Sequence, residues 1–130
     1  MATVLIAEDD GLQASAMRAA LGDAGLRVQS VANGNELLGR LAFALPDILV
    51  IDHAMPGRTG FEALRALRRT GRHRARPVLM ISAQRDPQLV LQALRNGADD
   101  FLPKPFSAEQ LRERVANLLK PQPCRRNSAA

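Results

Sequence analysis

Acids stand directly after two of the apolar runs in this sequence. Ile48-Leu49-Val50-Ile51 leads into Asp52, and Thr3-Val4-Leu5-Ile6-Ala7 leads into Glu8, Asp9 and Asp10. Two further runs end in other chemistry: Pro77-Val78-Leu79-Met80-Ile81 in Ser82, and Asp100-Phe101-Leu102 in Pro103-Lys104-Pro105. Taken alone, Asp52 could simply cap the segment that follows it, as an acid after a strand commonly does. The other acids reverse that reading, because carboxylates gathered at one place repel one another and require a cation. The donors are hard oxygens, with no His or Cys at metal-ligand spacing, which favours Mg2+ over zinc or copper. An ionised Asp52 can attack a phosphoryl group and form an acyl phosphate. The metal and Lys104 would then neutralise charge on the transferring oxygens, and Ser82 offers a hydroxyl to the same group.

Lys104 carries weight for a compositional reason. The chain uses two lysines against sixteen arginines, so a lysine between two prolines is a choice against the local habit. A compact ammonium suits a single phosphoryl oxygen better than a planar fork does.

The elements that must position these groups follow from periodicity. Short, wholly apolar and partly β-branched runs read as strands buried on both faces. Between them lie helical patterns. Leu12, Ala16, Met17, Ala20, Leu21 and Ala24 form the expected inner stripe of a first helix stopped by Gly25. A second strand runs from Leu26 to Val31, and Asn33 with Glu36 caps a second helix reaching about Phe43. Phe61, Leu64, Leu67 and Arg68 mark a third helix that Gly71 can end. Asp86-Pro87 opens a fourth, with Leu89, Val90, Ala93 and Leu94 inward and Gly97 closing it. Ser107 and Gln110 make a capping box for a fifth, whose stripe is Leu111, Val115, Leu118 and Leu119. Five strands alternating with five helices imply an α/β fold, a doubly wound parallel sheet covered on both faces. In such a sheet the ligand crevice lies at the C-terminal ends of the strands.

Composition bounds the rest. With 130 residues, 46% hydrophobic and 24% charged, the chain fits one domain with one core, expected over residues 1–120, and a tail at 121–130 without periodicity. No apolar run approaches the roughly 20 residues of a membrane span, and no leader pattern opens the chain, so a cytoplasmic protein is expected. Cys124, alone in the sequence, cannot form an internal disulfide. Of the net charge of +5, Lys120, Arg125 and Arg126 bring three from the C-terminal end. Arg65, Arg68, Arg69, Arg72, Arg74 and Arg76 crowd one stretch, but no aromatics interleave them, which favours a solvated helix end over direct nucleic-acid binding.

The order and spacing of Leu5-Ile6-Ala7-Glu8-Asp9-Asp10, Asp52-His53-Ala54-Met55-Pro56 with Gly60, Pro77 through Ala83, and Gly97 through Phe106 resemble the receiver domains of two-component response regulators, over residues 3 to about 119. The resemblance implies the flavodoxin-like strand order 2-1-3-4-5. It implies Asp52 as phosphoacceptor from a histidine kinase or phosphotransfer protein, and Mg2+ held by Asp9 directly, by Glu8 mainly through water, by Asp52 and by the Ala54 carbonyl. Ser82 would be the switch hydroxyl, Phe101 the aromatic that turns inward with it, and Lys104 the partner of the phosphoryl group. Ala54 and Gln84, two positions beyond the acceptor and the switch hydroxyl, would tune dephosphorylation. The response would reach a downstream protein or output domain, or support a phosphorylation-dependent homodimer, through helix four, strand five and helix five. Such a chain is a switch that catalyses its own phosphorylation and slow dephosphorylation, not a turnover enzyme.

Three other classes use similar atoms or the same fold. A Mg2+-dependent phosphatase with an aspartyl nucleophile would place a second acid two residues after the nucleophile, where this chain has Ala54. A receiver-like domain that binds proteins without phosphorylation would have lost the acceptor or the lysine, and both are present. A flavin or nucleotide binder would need a phosphate-cradling loop after the first strand, where this chain has three acids.

Overall fold

The computed structural model describes residues 1–69 and 76–121. Its elements run β1 (Thr3–Ala7), α1 (Gly11–Asp23), β2 (Arg27–Val31), α2 (Gly34–Leu41), β3 (Ile48–Asp52), α3 (Gly60–Arg69), β4 (Val78–Ser82), α4 (Pro87–Arg95), β5 (Asp100–Pro103) and α5 (Ala108–Leu119). All the strands pair in parallel, in the order β2-β1-β3-β4-β5. Gly71, Arg72, Arg74, Cys124 and nearly all of the expected tail lie outside the described residues.

The central strands β3 and β4 are buried along their whole length. Their side chains alternate between two cores, one on each face of the sheet. Leu49, Ile51, Val78 and Met80 meet Leu37, Leu64, Leu67 and Ala93 on one side. Val50, Leu79 and Ile81 meet Met17, Leu21, Leu111 and Val115 on the other. Burial on both faces is the physical reason these strands read as unbroken apolar runs. Pro103 closes β5 opposite Ser82, on an edge strand where its missing N–H removes no ladder bond that the sheet needs.

Several helix faces differ from expectation. In α1 the inward residues are Ala14, Met17, Ala20 and Leu21, whereas Leu12, Ala16 and Ala24 are exposed. The Asp10 side chain accepts from the N–H groups of Leu12 and Gln13, which fixes where the helix begins and so its phase. Alanines scattered around the helix made that phase ambiguous in sequence. The second helix ends at Leu41 rather than Phe43, and Ala42, Phe43 and Ala44 turn back onto the carbonyls of Gly39 and Arg40, leaving Phe43 exposed. In α4, Leu89 and Ala93 are buried but Leu94 is exposed, because a nine-residue helix rests on one narrow line of contact. Leu119 is half-buried beyond the closed core of α5. Arg68 is not part of a solvated helix end. Its side chain is 12% exposed and pairs with Asp99 at 3.1 Å.

Candidate phosphoryl-transfer site

Parallel register brings the chemically distinctive residues to one end of the sheet. Ile51 lies opposite Ala7 on β1, and Asp52 lies opposite Ile81 on β4, one residue before Ser82. Glu8 therefore emerges beside Asp52 on one flank and Ser82 on the other, with Lys104 following Pro103 at the tip of β5. The Lys104 N–H donates to the Ser82 carbonyl at 2.7 Å, which carries the lysine backbone up from the edge of the sheet.

The Lys104 ammonium joins the acids. Its Nζ donates to Glu8 Oε1 at 2.8 Å and to Asp52 Oδ2 at 3.1 Å. Glu8 is 2% exposed and Asp52 4%. Burial raises the Glu8 pKa above its ordinary 4.5, and the adjacent Asp52 adds to this while Lys104 opposes it. For Lys104, burial favours the neutral amine, but bonds to Glu8 and Asp52 outweigh it and hold the pKa above 10.5. The ammonium is thus kept charged by the two carboxylates it serves.

Asp9 completes the acidic group on its open side. Ligand oxygens of Glu8, Asp9 and Asp52 lie within 4.8 Å of one another, a spacing that one small cation can bridge. An all-oxygen donor set of this kind fits Mg2+. Asp10 is spent otherwise, as the cap of α1. An Asp9→Ala protein should therefore lose most of its affinity for Mg2+. Asp10→Ala should keep that affinity and instead lose about 1 kcal/mol of stability with its cap. Isothermal titration with Mg2+ and urea unfolding of both variants check this, and equal loss of metal binding in the two would contradict it.

The surrounding loops set the remaining contacts. Asp52 Oδ1 accepts from the Ala54 N–H at 3.3 Å, and Ser82 Oγ accepts from the Gln84 N–H at 3.0 Å. Ala54 and the Gln84 side chain are exposed. Gly60 must lack a side chain, since a Cβ there would stand 2.7 Å from the Asp52 carbonyl and 2.8 Å from His53 Cα. Thr59 and Glu62 then cap α3 reciprocally. The His53 ring packs edge-on against Phe61 at 4.7 Å, and burial lowers its pKa, so the neighbour of Asp52 is a neutral packing group. Phe101 already faces inward and is buried.

Glu8, Asp9, Asp52, Ser82 and Lys104 thus come together as their positions at strand ends implied. Pairing of Lys104 with Glu8, 96 residues away, carried no local signal. The role of Asp99 was also missed. Its carboxylate accepts from Arg68 and from the Val78 N–H at 2.8 Å, and nothing in the acid-rich Asp99-Asp100 pair marks one as structural.

Known proteins share this sequence pattern and this fold. The family model described as the response regulator receiver domain matches residues 4–116. The DNA-binding transcriptional regulator NtrC of Salmonella typhimurium is 36% identical over 107 residues, which cover 82% of this chain and 22% of that protein. Response regulator MprA of Mycobacterium avium is 37% identical over 117 residues, covering 90% of this chain and 50% of that one. The chain spans about half the length, or less, of the curated relatives it matches. Among solved structures, the chemotaxis response regulator CheY4 of Vibrio cholerae superposes with a TM-score of 0.87 at 31% identity, covering 91% of this chain and 98% of that one. The receiver domain of Francisella response regulator 1452 gives 0.86 at 32% identity, covering 92% and 98%. With its acids, hydroxyl and lysine gathered at the switch end of a 2-1-3-4-5 sheet, this chain belongs to the receiver domains of the two-component response regulators, signalling switches activated by phosphorylation.

Proposed function

We propose that Asp52 accepts the phosphoryl group, donated by the phosphohistidine of a histidine kinase or phosphotransfer protein. A carboxylate oxygen of Asp52 bonds to phosphorus as the phosphorus–nitrogen bond breaks, and the imidazole leaves with that electron pair. The observation that carries this reading is the shared ammonium. Lys104 lies 3.1 Å from Asp52 Oδ2, close enough to follow the charge onto a phosphoryl oxygen once the carboxylate has become an acyl phosphate. Glu8, Asp9, Asp52 and the Ala54 carbonyl would hold Mg2+, with Glu8 partly committed to Lys104 and acting mainly through water. The metal, when bound, supplies further neutralisation of the equatorial oxygens. Ser82 would release the Gln84 N–H and turn its hydroxyl to the phosphoryl group, with the buried Phe101 ring holding the space behind it.

The receiver unit would be residues 1–120, with residues 121–130 a tail or linker. It would work in the cytoplasm, and none of the described helices is long and apolar enough to cross a membrane. The face of α4, β5 and α5 would pass the signal to a downstream protein, an output domain or a second copy. Hydrolysis of the acyl phosphate would depend on Mg2+ and chiefly on Gln84, since Ala54 offers neither a polar group nor a shield. Decay of the phosphorylated protein should slow severalfold in Gln84→Ala. An unchanged rate would leave the metal and Lys104 as the controlling groups.

The decisive experiment adds a small phosphodonor and Mg2+ and follows intact mass. Wild type should gain one phosphoryl group and Asp52→Asn none. Equal labelling of the two proteins would overturn the assignment.

A further inference from the structure

The two ends of α4 are held by different parts of the molecule. At its C-terminal end, Arg65 and Arg68 reach across from successive turns of α3. Arg65 Nη1 donates to Asn96 Oδ1 at 3.3 Å. Arg68 donates to the Gly97 carbonyl from Nε at 3.1 Å and from Nη2 at 2.7 Å, to the Arg76 carbonyl at 2.8 Å, and to Asp99 at 3.1 Å. Asp99 is anchored in turn by the Val78 N–H. Gly97 has a φ of +110°, and a Cβ there would stand 2.8 Å from Arg68 Cγ, so the loop closes tightly over the arginine stem. Ala93, near this end, is fully buried.

The N-terminal end of α4 is tied to the reacting groups. The Gln84 N–H rests on Ser82 Oγ, and Arg85 Nη2 donates to the Lys104 carbonyl at 3.2 Å. Asp86 caps the helix locally through the Gln88 N–H. Beside the outer flank, a cleft of about 270 Å3 lies between Arg85, Val90, Leu94, Phe101 and Pro103. A change at Ser82 or Lys104 therefore acts on one end of a rod whose other end is clamped.

We propose that Arg65 and Arg68 are positioning residues that pin the C-terminal end of α4, so that this helix answers phosphorylation as a lever turning about residues 96–99. The proposal rests on Asp52 being the acceptor only for what drives the lever. The pinning is a property of the unmodified protein. Displacement is greatest at residues 83–90 and least at residues 96–99.

Native-state amide exchange tests both parts, with core amides of β1 and β3 as the internal measure of global stability. In the unmodified protein, the hydrogen-bonded amides of Leu89 and Val90 should exchange about tenfold faster than those of Asn96, Gly97 and Ala98. Arg68→Lys keeps the charge but loses the fork, and should bring the second group to the rate of the first while β1 and β3 change far less. Arg65→Ala, an exposed change that leaves the core intact, should do the same in part. Equal protection at the two ends of wild-type α4, or variants that leave residues 96–99 as protected as before, would overturn the pinning. After phosphorylation verified by mass, exchange should change most at residues 83–90; a larger change at residues 96–99 would overturn the lever. Absence of any mass gain would instead count against Asp52 as acceptor, while the exchange rates of the unmodified proteins would still decide the pinning.

Discussion

An Arg68→Met protein is expected to be less stable than wild type by about 3 to 5 kcal/mol, because it takes the guanidinium away from a nearly buried carboxylate. Asp99 is 14% exposed, so solvent replaces the guanidinium only in part. The Gly97 and Arg76 carbonyls lose these donors in the same step, and unmade hydrogen bonds at part-buried positions add to the cost. Such a loss is a large share of the roughly 5 to 15 kcal/mol typical of a domain. Asp99→Asn should cost less, since an amide oxygen can still accept from Val78. Urea unfolding of both variants measures this, and a loss under about 1 kcal/mol in Arg68→Met would mean the ion pair is not structural.

That interaction marks where sequence reading stops. Strands were legible because double burial makes them uniformly apolar, and the reactive side chains were legible because each follows directly on such a run. Where one residue must find another far along the chain, no local pattern points to it. Arg68 stood among six arginines and looked like part of a solvated end, yet its partner lies 31 residues on, across two elements. Helix phase failed for a related reason. Alanine at Ala14, Ala16, Ala19, Ala20 and Ala24 lets more than one face of α1 read as inner, and the phase is set by how the Asp10 cap starts the helix against the sheet. Leu94 was assigned inward on hydrophobicity alone, although the next position around so short a helix from Ala93 leads to the surface.

The site itself is expected to respond in opposite directions to changes on its two sides. Two carboxylates, Glu8 and Asp52, share one ammonium, and Asp9 adds a third negative charge at the open side. Lys104→Met removes the cation and should lower stability by about 2 to 3 kcal/mol in EDTA at neutral pH, somewhat less than a fully enclosed pair because the lysine is partly open to water. Asp52→Asn removes one of the competing charges and leaves a simple Lys104–Glu8 pair, so stability should rise by about 1 kcal/mol. Acid should narrow the deficit of Lys104→Met. A carboxyl whose folded pKa exceeds its unfolded 4.5 binds more protons when folded, so stability rises as pH falls toward 4.5 through that window. Losing Lys104 removes the group that opposes the Glu8 shift, which widens the window in the variant. In alkali the deficit narrows as well: the contribution of Lys104 to wild type lasts to its unfolded pKa of 10.5 and is lost as pH rises through the higher folded value. Urea midpoints near neutral pH and again about two pH units lower in EDTA, then with saturating Mg2+, read the neutral and acid parts of this. Generic damage would lower stability in both variants at every pH. A Lys104→Met protein as stable as wild type in EDTA would show that the ammonium does not hold these acids together.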